Sequence, residues 1–475
     1  MTETLKPDIC VIGAGSGGLT VAAAAASFGA SVVLIEKGKM GGDCLNYGCV
    51  PSKALLAAGK QAHAMRSGAK FGIKAGEPEV DFKAVMKHVK AVIAEIAPND
   101  SVERFTALGV KVIEAAGKFT DSSTVVAGDY IIKARRFVIA TGSSAFVPPI
   151  PGLDTVEYLT NETIFEEQKL AQHLIIIGGG PIGVEMAQAH RRLGAQVTVI
   201  EAFGALGKDD PETAAFVLKA VRAEGVDIRE GTKVTSVEKR GKTGVRVHIE
   251  MSEGKSFIDG TKLLVAVGRL ANVNGMDLEK AGIKFERKGV TVDAGLRSSN
   301  RKVYAIGDVA GSLQFTHMAG YHAGLVVRSI LFRLPVKENR AIIPWATYTE
   351  PELSHVGLSE ADAKKAGTDI RVLRWPFSEN DRAQAEHKTN GLIKIITNPK
   401  GLILGVSIGG HGAGEMINMW ALAVFKKLTV RDIAGYVAPY PTMSEVGKRA
   451  AITYYADLPR SPRLRKAISL LRMFG

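Results

Sequence analysis

Two of the chain's three cysteines, Cys44 and Cys49, fall within one run, Gly41-Gly42-Asp43-Cys44-Leu45-Asn46-Tyr47-Gly48-Cys49-Val50-Pro51-Ser52-Lys53. Sulfurs this close can pass between disulfide and dithiol without rebuilding the fold around them, which is the chemistry of a two-electron relay. Pro51 suits the first turn of a helix, where its missing N–H is no loss. The positive end of that helix then lies beside Cys49 and favours its thiolate. The plainer alternative is a structural disulfide. A bridge closing so short a loop adds little to a chain of 475 residues, and chains this poor in cysteine are usually cytosolic.

A relay needs a source of electrons, and a long-period repeat points to one. Asp8 to Glu36 reads as strand, Gly13-Ala14-Gly15-Ser16-Gly17-Gly18, Ala-rich helix, Gly29-Ala30 and a strand ending in Glu36. His173 to Glu201 reads as strand, Gly178-Gly179-Gly180-Pro181-Ile182-Gly183, helix, Gly194-Ala195 and a strand ending in Glu201. In both, the third glycine precedes the acid by 18 residues, and the units are offset by 165. The first glycine permits the tight turn, the second lets the backbone approach a pyrophosphate, and the third lets helix and strand pack closely. The phosphates then sit at a helix N-terminus, and the terminal acid accepts from a ribose. One such fingerprint is weak evidence; two in matching context predict two dinucleotide sites.

Around these units the sequence divides further. Residues 80–108 read as helical, and Val110 to Ile132 alternates and breaks as antiparallel strands do. Phe137 to Gly142, Leu263 to Gly268 and Val303 to Asp308 read as buried strands, each followed by a turn. Pro148-Pro149-Ile150-Pro151-Gly152 reads as a domain boundary. Past Pro335 come amphipathic strands at about 371–376 and 392–408 and helices at about 412–427 and 443–456, with no nucleotide motif. Composition fits a soluble globular protein: 46% hydrophobic, 23% charged and 52 glycines. No apolar run reaches bilayer length, and the first residues lack the pattern of a secretory signal, so a cytoplasmic location is expected. The net charge of +13 is spread along the chain without interleaved aromatics, which suits anionic cofactors and argues against a nucleic-acid partner.

Taken together, the GGDCLNYGCVPSK run, ATG at 140–142, the second fingerprint, AIGD at 305–308, TEPELSHVG at 349–357 and PTMSE at 441–445 resemble the flavin-dependent pyridine nucleotide–disulfide oxidoreductases. That family includes dihydrolipoamide dehydrogenase, glutathione reductase and mercuric reductase, and the similarity runs from Asp8 to about Tyr455. It implies an α/β fold with two Rossmann-like dinucleotide-binding domains and a C-terminal α+β interface (dimerisation) domain. The implied boundaries are 1–150 and 275–338 for a split FAD domain, 151–274 for the NAD(P) domain, 339–458 for the interface domain and 459–475 for a basic tail. The resemblance gives Gly13, Gly15, Gly18 and Glu36 to the adenosine half of FAD, Asp308 to its ribitol and the helix backbone at His317 to its pyrimidine edge. Gly42, Thr141 and Gly142, with Gly178, Gly180, Gly183, Glu201 and Gly268, complete the cofactor contacts. Cys49 would face the flavin, Cys44 would be the exposed interchange sulfur that meets substrate, and Lys53 near flavin N5 would pair with Glu185. Tyr440 and Glu445 would complete the site across a homodimer.

Two departures bear on substrate. Disulfide-reducing relatives carry His where this chain has Tyr440, and a phenol of ordinary pKa is a poor proton shuttle near neutrality. Mercuric reductases also show Tyr there, but they end in a vicinal cysteine pair, whereas this chain ends Leu470-Leu471-Arg472-Met473-Phe474-Gly475. A smaller departure is Pro181, where some relatives place a Tyr gate. The expected reaction takes electrons from a nicotinamide, NADH before NADPH, through FAD and the cysteine pair to a thiophilic metal ion or small reactive oxidant. A disulfide reductase is the alternative enzyme, and an FAD-binding redox sensor the alternative without turnover. No His spacing suggests a resident metal; Cys10 reads as a core thiol and His411 as a subunit contact. The tail from Arg460 to Arg472 reads as a helix capped by Ser461, with Leu464, Ile468 and Leu471 on one face. Packing against its own protein is the expectation, and peripheral contact with anionic lipid the alternative.

Overall fold

Strands made of apolar residues need cover on both faces, and Ile9–Ile12 and the Val32–Ile35 part of Val32–Glu36 are of that kind. In the computed structural model, which describes residues 3–311 and 313–474, they lie inside a five-stranded parallel sheet. Its order is Val303–Ala305, Arg136–Ile139, Ile9–Ile12, Val32–Glu36, Val110–Glu114. Alternate residues go to opposite faces. Cys10, Ile12, Val33, Ile35, Phe137 and Ile139 enter one core cluster, while Ile9, Val11, Val32, Leu34 and Val138 enter another. Cys10 is fully buried, and burial holds its thiol protonated, well above the ordinary range.

The chain divides into two compact units. The first comprises Met1–Arg66, Gly76–Ala202 and Ile228–Glu338; the second comprises Ser67–Ala75, Phe203–Asp227 and Asn339–Gly475. In the first, a second parallel sheet repeats the motif, with Gln196–Ile200 and Lys262–Val265 on either side of His173–Ile177. The segment expected as antiparallel strands is mixed. Val110–Glu114 joins the first parallel sheet in register with Val32–Glu36, and only Lys118–Asp121, Thr124–Ala127 and Tyr130–Ile132 form the antiparallel meander. Val110–Glu114 is an edge strand whose Val110 and Ile113 are buried in different core clusters while Lys111 and Glu114 are exposed, and such mixed burial reads in sequence like an antiparallel strand. The long helical segment breaks at Pro98 into Phe82–Ile96, a short turn and Val102–Ala107.

The second unit is built on a five-stranded antiparallel sheet, Trp345–Thr347, Glu352–Gly357, Ile403–Gly410, Leu392–Thr397, Arg371–Pro376. Ala413–Lys426 and Glu445–Thr453 are its main C-terminal helices. Lys394, on a central strand, is only 3% exposed. Its Nζ lies 2.7 Å from Asp210, 2.8 Å from Glu212 and 2.6 Å from Glu360. Such burial is tolerable because the cation is surrounded by carboxylates. The tail forms the helix Pro462–Leu471, capped by Ser461 as expected, but none of its residues is buried.

Candidate active site

The two fingerprints are near duplicates. Gly13 and Gly178 adopt φ of +107° and +111°, values open to glycine. A Cβ at either would lie 2.5 Å from a carbonyl oxygen, that of Ala140 or Ala266. Cβ atoms at Gly18 and Gly183 would lie 1.9 and 2.0 Å from the carbonyl oxygens of Gly13 and Gly178. The protein's own packing therefore demands the first and third glycines of each unit. The middle glycines are different. A Cβ on Gly180 would meet nothing within 4 Å, and one on Gly15 would reach only Gly42 Cα at 4.0 Å. Each leaves open space and is the N-cap of a helix that no side chain caps. Both clasps thus fit a pyrophosphate on first-turn N–H groups. The acids are held in place by the turns they serve: Glu36 accepts from the Ala14 and Gly38 amides at 2.6 and 2.7 Å, and Glu201 from the Gly179 amide at 2.7 Å.

The redox pair sits across a break between two helices. Cys44 lies in the short helix Gly42–Asn46, and Cys49 is the first residue of Cys49–Arg66. Both are free thiols. The Cys44 thiol donates to the Cys49 sulfur, and this hydrogen bond is the main reason the Cys49 pKa falls well below the ordinary thiol value. Burial opposes the shift; Thr316, whose hydroxyl is 3.5 Å away, and the Lys53 cation assist it. The same hydrogen bond, with burial, pushes Cys44 up. One member of the pair is therefore poised as thiolate and the other as thiol. Cys49 is the exposed member here and Cys44 the half-buried one, the reverse of the expectation that Cys44 is the exposed sulfur.

Lys53 follows Cys49 by one helical turn, and its Nζ is 2.9 Å from Glu185 Oε2. Glu185 is 5% exposed and Lys53 37%. Helices Cys49–Arg66 and Pro181–Arg192 approach closely at Gly59, whose added Cβ would sit 3.3 Å from the Ala189 backbone. That approach brings the lysine within reach of the acid.

A network that spacing did not reveal runs beside the cysteines. Asp43 Oδ1 accepts from Asn161 and from Arg269, both at 3.0 Å. Arg269 also donates at 2.7 Å to the Ser143 hydroxyl and at 2.7 Å to its carbonyl. The Ser143 hydroxyl in turn donates to Asp308 at 2.5 Å. Burial raises the Asp308 carboxyl above its ordinary value; Ser143 and Arg269 oppose this, and the Asp43 charge adds to it. The only signal in the sequence was an acid beside a redox cysteine and a serine directly after the ATG turn. Thr141 donates to the Asn272 carbonyl at 2.8 Å, and Gly142 and Gly268 take φ of +66° and +138°. His317 is the second residue of the helix Thr316–Leu331, its ring stacked on Phe315.

Tyr440 and Glu445 belong to the second unit. Tyr440 is 70% exposed, and its hydroxyl donates to Asp381 at 2.8 Å. That hydrogen bond, with the Asp381 charge, holds the phenol above its ordinary pKa. Glu445 opens the helix Glu445–Thr453. His411 Nδ1 lies 3.8 Å from Glu350.

Two dinucleotide clasps in one unit, with a polarised dithiol at the start of a helix, define a nicotinamide-dependent flavoprotein oxidoreductase. The chain belongs to the pyridine nucleotide-disulphide oxidoreductases, whose family pattern matches residues 7–323, with the dimerisation domain of the same family at 343–451. It is an FAD-dependent enzyme of class I that uses NAD(P)H, and its dimerisation domain supports a homodimer. It is 34% identical to a mercuric reductase of Bacillus cereus, over 95% of this chain and 72% of that one. It is 36% identical to a dihydrolipoyl dehydrogenase of Thermus scotoductus, over 92% of this chain and 95% of that one. Among solved structures, the Cu(II) complex of the HOCl-induced flavoprotein disulfide reductase RclA from Escherichia coli aligns with a TM-score of 0.82 at 28% identity. That alignment covers 92% of this chain and 98% of the other.

Proposed function

We propose that this enzyme takes electrons from NADH and delivers them through the Cys44–Cys49 pair to a thiophilic metal ion or a small reactive oxidant. The observation that carries the reading is Tyr440 bound to Asp381, a phenol held above its ordinary pKa at the position where disulfide reductases carry their proton-shuttling histidine. Reducing a disulfide needs one thiolate protonated as another is formed. A soft metal ion needs only sulfur ligands and electrons. The mercuric reductases and the Cu(II) complex among the relatives agree with this substrate class.

FAD supplies the two-electron link between the nicotinamide and the cysteines. The chain's own residues do the rest. Glu36 and the Gly13–Gly18 turn hold one dinucleotide; Glu201 and the Gly178–Gly183 turn bind the other. Lys53, fixed by Glu185, keeps a cation beside Cys49 and favours its thiolate. The reduced pair, Cys49 as thiolate and Cys44 as thiol, gives up two electrons and the one Cys44 proton as its S–S bond re-forms, and one Hg(II) or two Cu(II) accept those electrons. The preference for NADH rests on Glu201, a carboxylate that suits free ribose hydroxyls and repels a 2′-phosphate. The residues that follow, Ala202-Phe203-Gly204-Ala205, offer no cation before Lys208.

Steady-state NADH oxidation with Hg(II), Cu(II), lipoamide, glutathione disulfide and hypothiocyanite tests the substrate class. Metal ion or oxidant should turn over well and the disulfides poorly, and Tyr440→His should raise disulfide turnover. Faster flavin reduction by NADPH than by NADH would overturn the nucleotide assignment. The second reading is a disulfide reductase in which Glu445 or water moves the proton, and the dihydrolipoyl dehydrogenase relatives favour it. Lipoamide turnover by the wild type at tens per second, an ordinary enzymatic rate, would put that reading first.

A further inference from the structure

We propose that the helix Pro462–Leu471 docks on an anionic lipid surface. At 100° per residue, Leu464, Ala467, Ile468 and Leu471 share one face. Arg465 and Arg472 flank this stripe on one side and Arg463 on the other. None of the helix's residues is buried, and Leu464, Ile468 and Leu471 are 37%, 48% and 68% exposed. Beyond the stripe, Leu470, Met473 and Phe474 are also exposed. From Leu458 to Phe474 there are five basic residues, Arg460, Arg463, Arg465, Lys466 and Arg472, and no acidic one. Arg465 donates to the Pro459 carbonyl at 2.6 Å. No salt bridge engages the others among the described residues.

A narrow apolar stripe between cations is the pattern of a helix that lies in a membrane interface, its leucines in the acyl boundary and its arginines among phosphates. Ten residues cannot span a bilayer, so the helix lies on the surface. Charge also selects the occupant. Pairing two copies face to face would crowd their arginines together, whereas an anionic headgroup layer neutralises them. One short helix binds weakly, but a homodimer carries two, and two anchors together hold where one does not.

The test is flotation of the full-length, flavin-loaded dimer with vesicles of phosphatidylcholine alone or with about a third phosphatidylglycerol. The expected result is at least about tenfold greater recovery with the anionic vesicles, falling as salt screens the charges. Each of Arg463→Gln, Lys466→Gln and Arg472→Gln should lower partition by about fivefold. The double variant Ile468→Asp and Leu471→Asp should abolish binding while NADH-dependent flavin reduction, read on the same sample, stays intact. Equal recovery with neutral and anionic vesicles would overturn the proposal, as would no binding to either, or binding that survives the double aspartate variant. Loss of dimer mass on removing residues 461–475, with no vesicle binding by the intact chain, would overturn it in favour of a second copy as the occupant.

Discussion

Cys49 owes its low pKa first to a hydrogen bond from Cys44, so the identity of residue 44 sets the pH range in which the thiolate persists. In Cys44→Ser a hydroxyl can still donate, and the long-wavelength thiolate-to-flavin absorption should appear without reduction. Its titration midpoint should lie below the ordinary thiol value of about 8.5. In Cys44→Ala the donor is gone, the Cys49 pKa rises, and the band should vanish at a pH higher by about one unit. Cys49→Ser should show no band at all; a spectrum unchanged from wild type would remove Cys49 from the flavin. Arg269 is the second residue to test, because it stands between the carboxylates of Asp43 and, through Ser143, Asp308. Arg269→Leu leaves both acids without their cation and should weaken flavin retention on the order of tenfold, measured as flavin lost on gel filtration. The cysteines, the fingerprint glycines and the Lys53–Glu185 pair were legible in the sequence because each obeys a spacing or a family motif. Asp43–Arg269–Ser143–Asp308 was not, because its members come from four separate segments that only the fold brings together.

At the scale of elements, the buried Lys394 ties its strand to two acids of the Phe203–Asp227 segment and to Glu360. Lys394→Met removes the only cation that touches the nearly buried Asp210 in this cluster and should cost about 3–5 kcal/mol in urea unfolding. The cluster also sets acid sensitivity. Glu212 is pulled down to about 2, first by the Arg374 hydrogen bond, with Lys394 assisting against the cost of burial. A carboxyl lower in the folded state than in the unfolded chain stabilises fully above the unfolded value of about 4.3 and loses that contribution as pH falls toward 2. Glu212→Gln should therefore flatten the fall of stability with acid across that window, and an unchanged slope would show that other carboxyls carry it. The sequence showed none of this, since a lysine in an apolar strand reads as an outward-facing residue. The same ambiguity misplaced Val110–Glu114, whose alternation fits an edge strand of a parallel sheet as well as a meander.

For the whole molecule, the resemblance puts Tyr440 and Glu445 in the partner's site, an assignment that mixed dimers can check. Cys49→Ser in one chain and a Tyr440 variant that has lost turnover in the other leave one intact site per heterodimer. Random mixing should restore about a quarter of wild-type turnover, because half the dimers are mixed and each has one good site. No recovery would mean that each chain completes its own site. The two fingerprint turns were legible from the repeat, whereas the grouping of Phe203–Asp227 with the C-terminal segments was not, because nothing local marks it. The near identity of the two clasps has one more consequence. In the proposed reaction both would grip a pyrophosphate and a ribose with the same turn and the same acid, yet the flavin would stay through many cycles while the nicotinamide departs after each. On that reading the difference in dissociation rate arises outside the clasps, and among the described residues the Asp308 network and the Thr316–Leu331 helix stand beside the first. Drift in the second clasp can change which reductant is accepted while the lifetime of the bound flavin stays as it was.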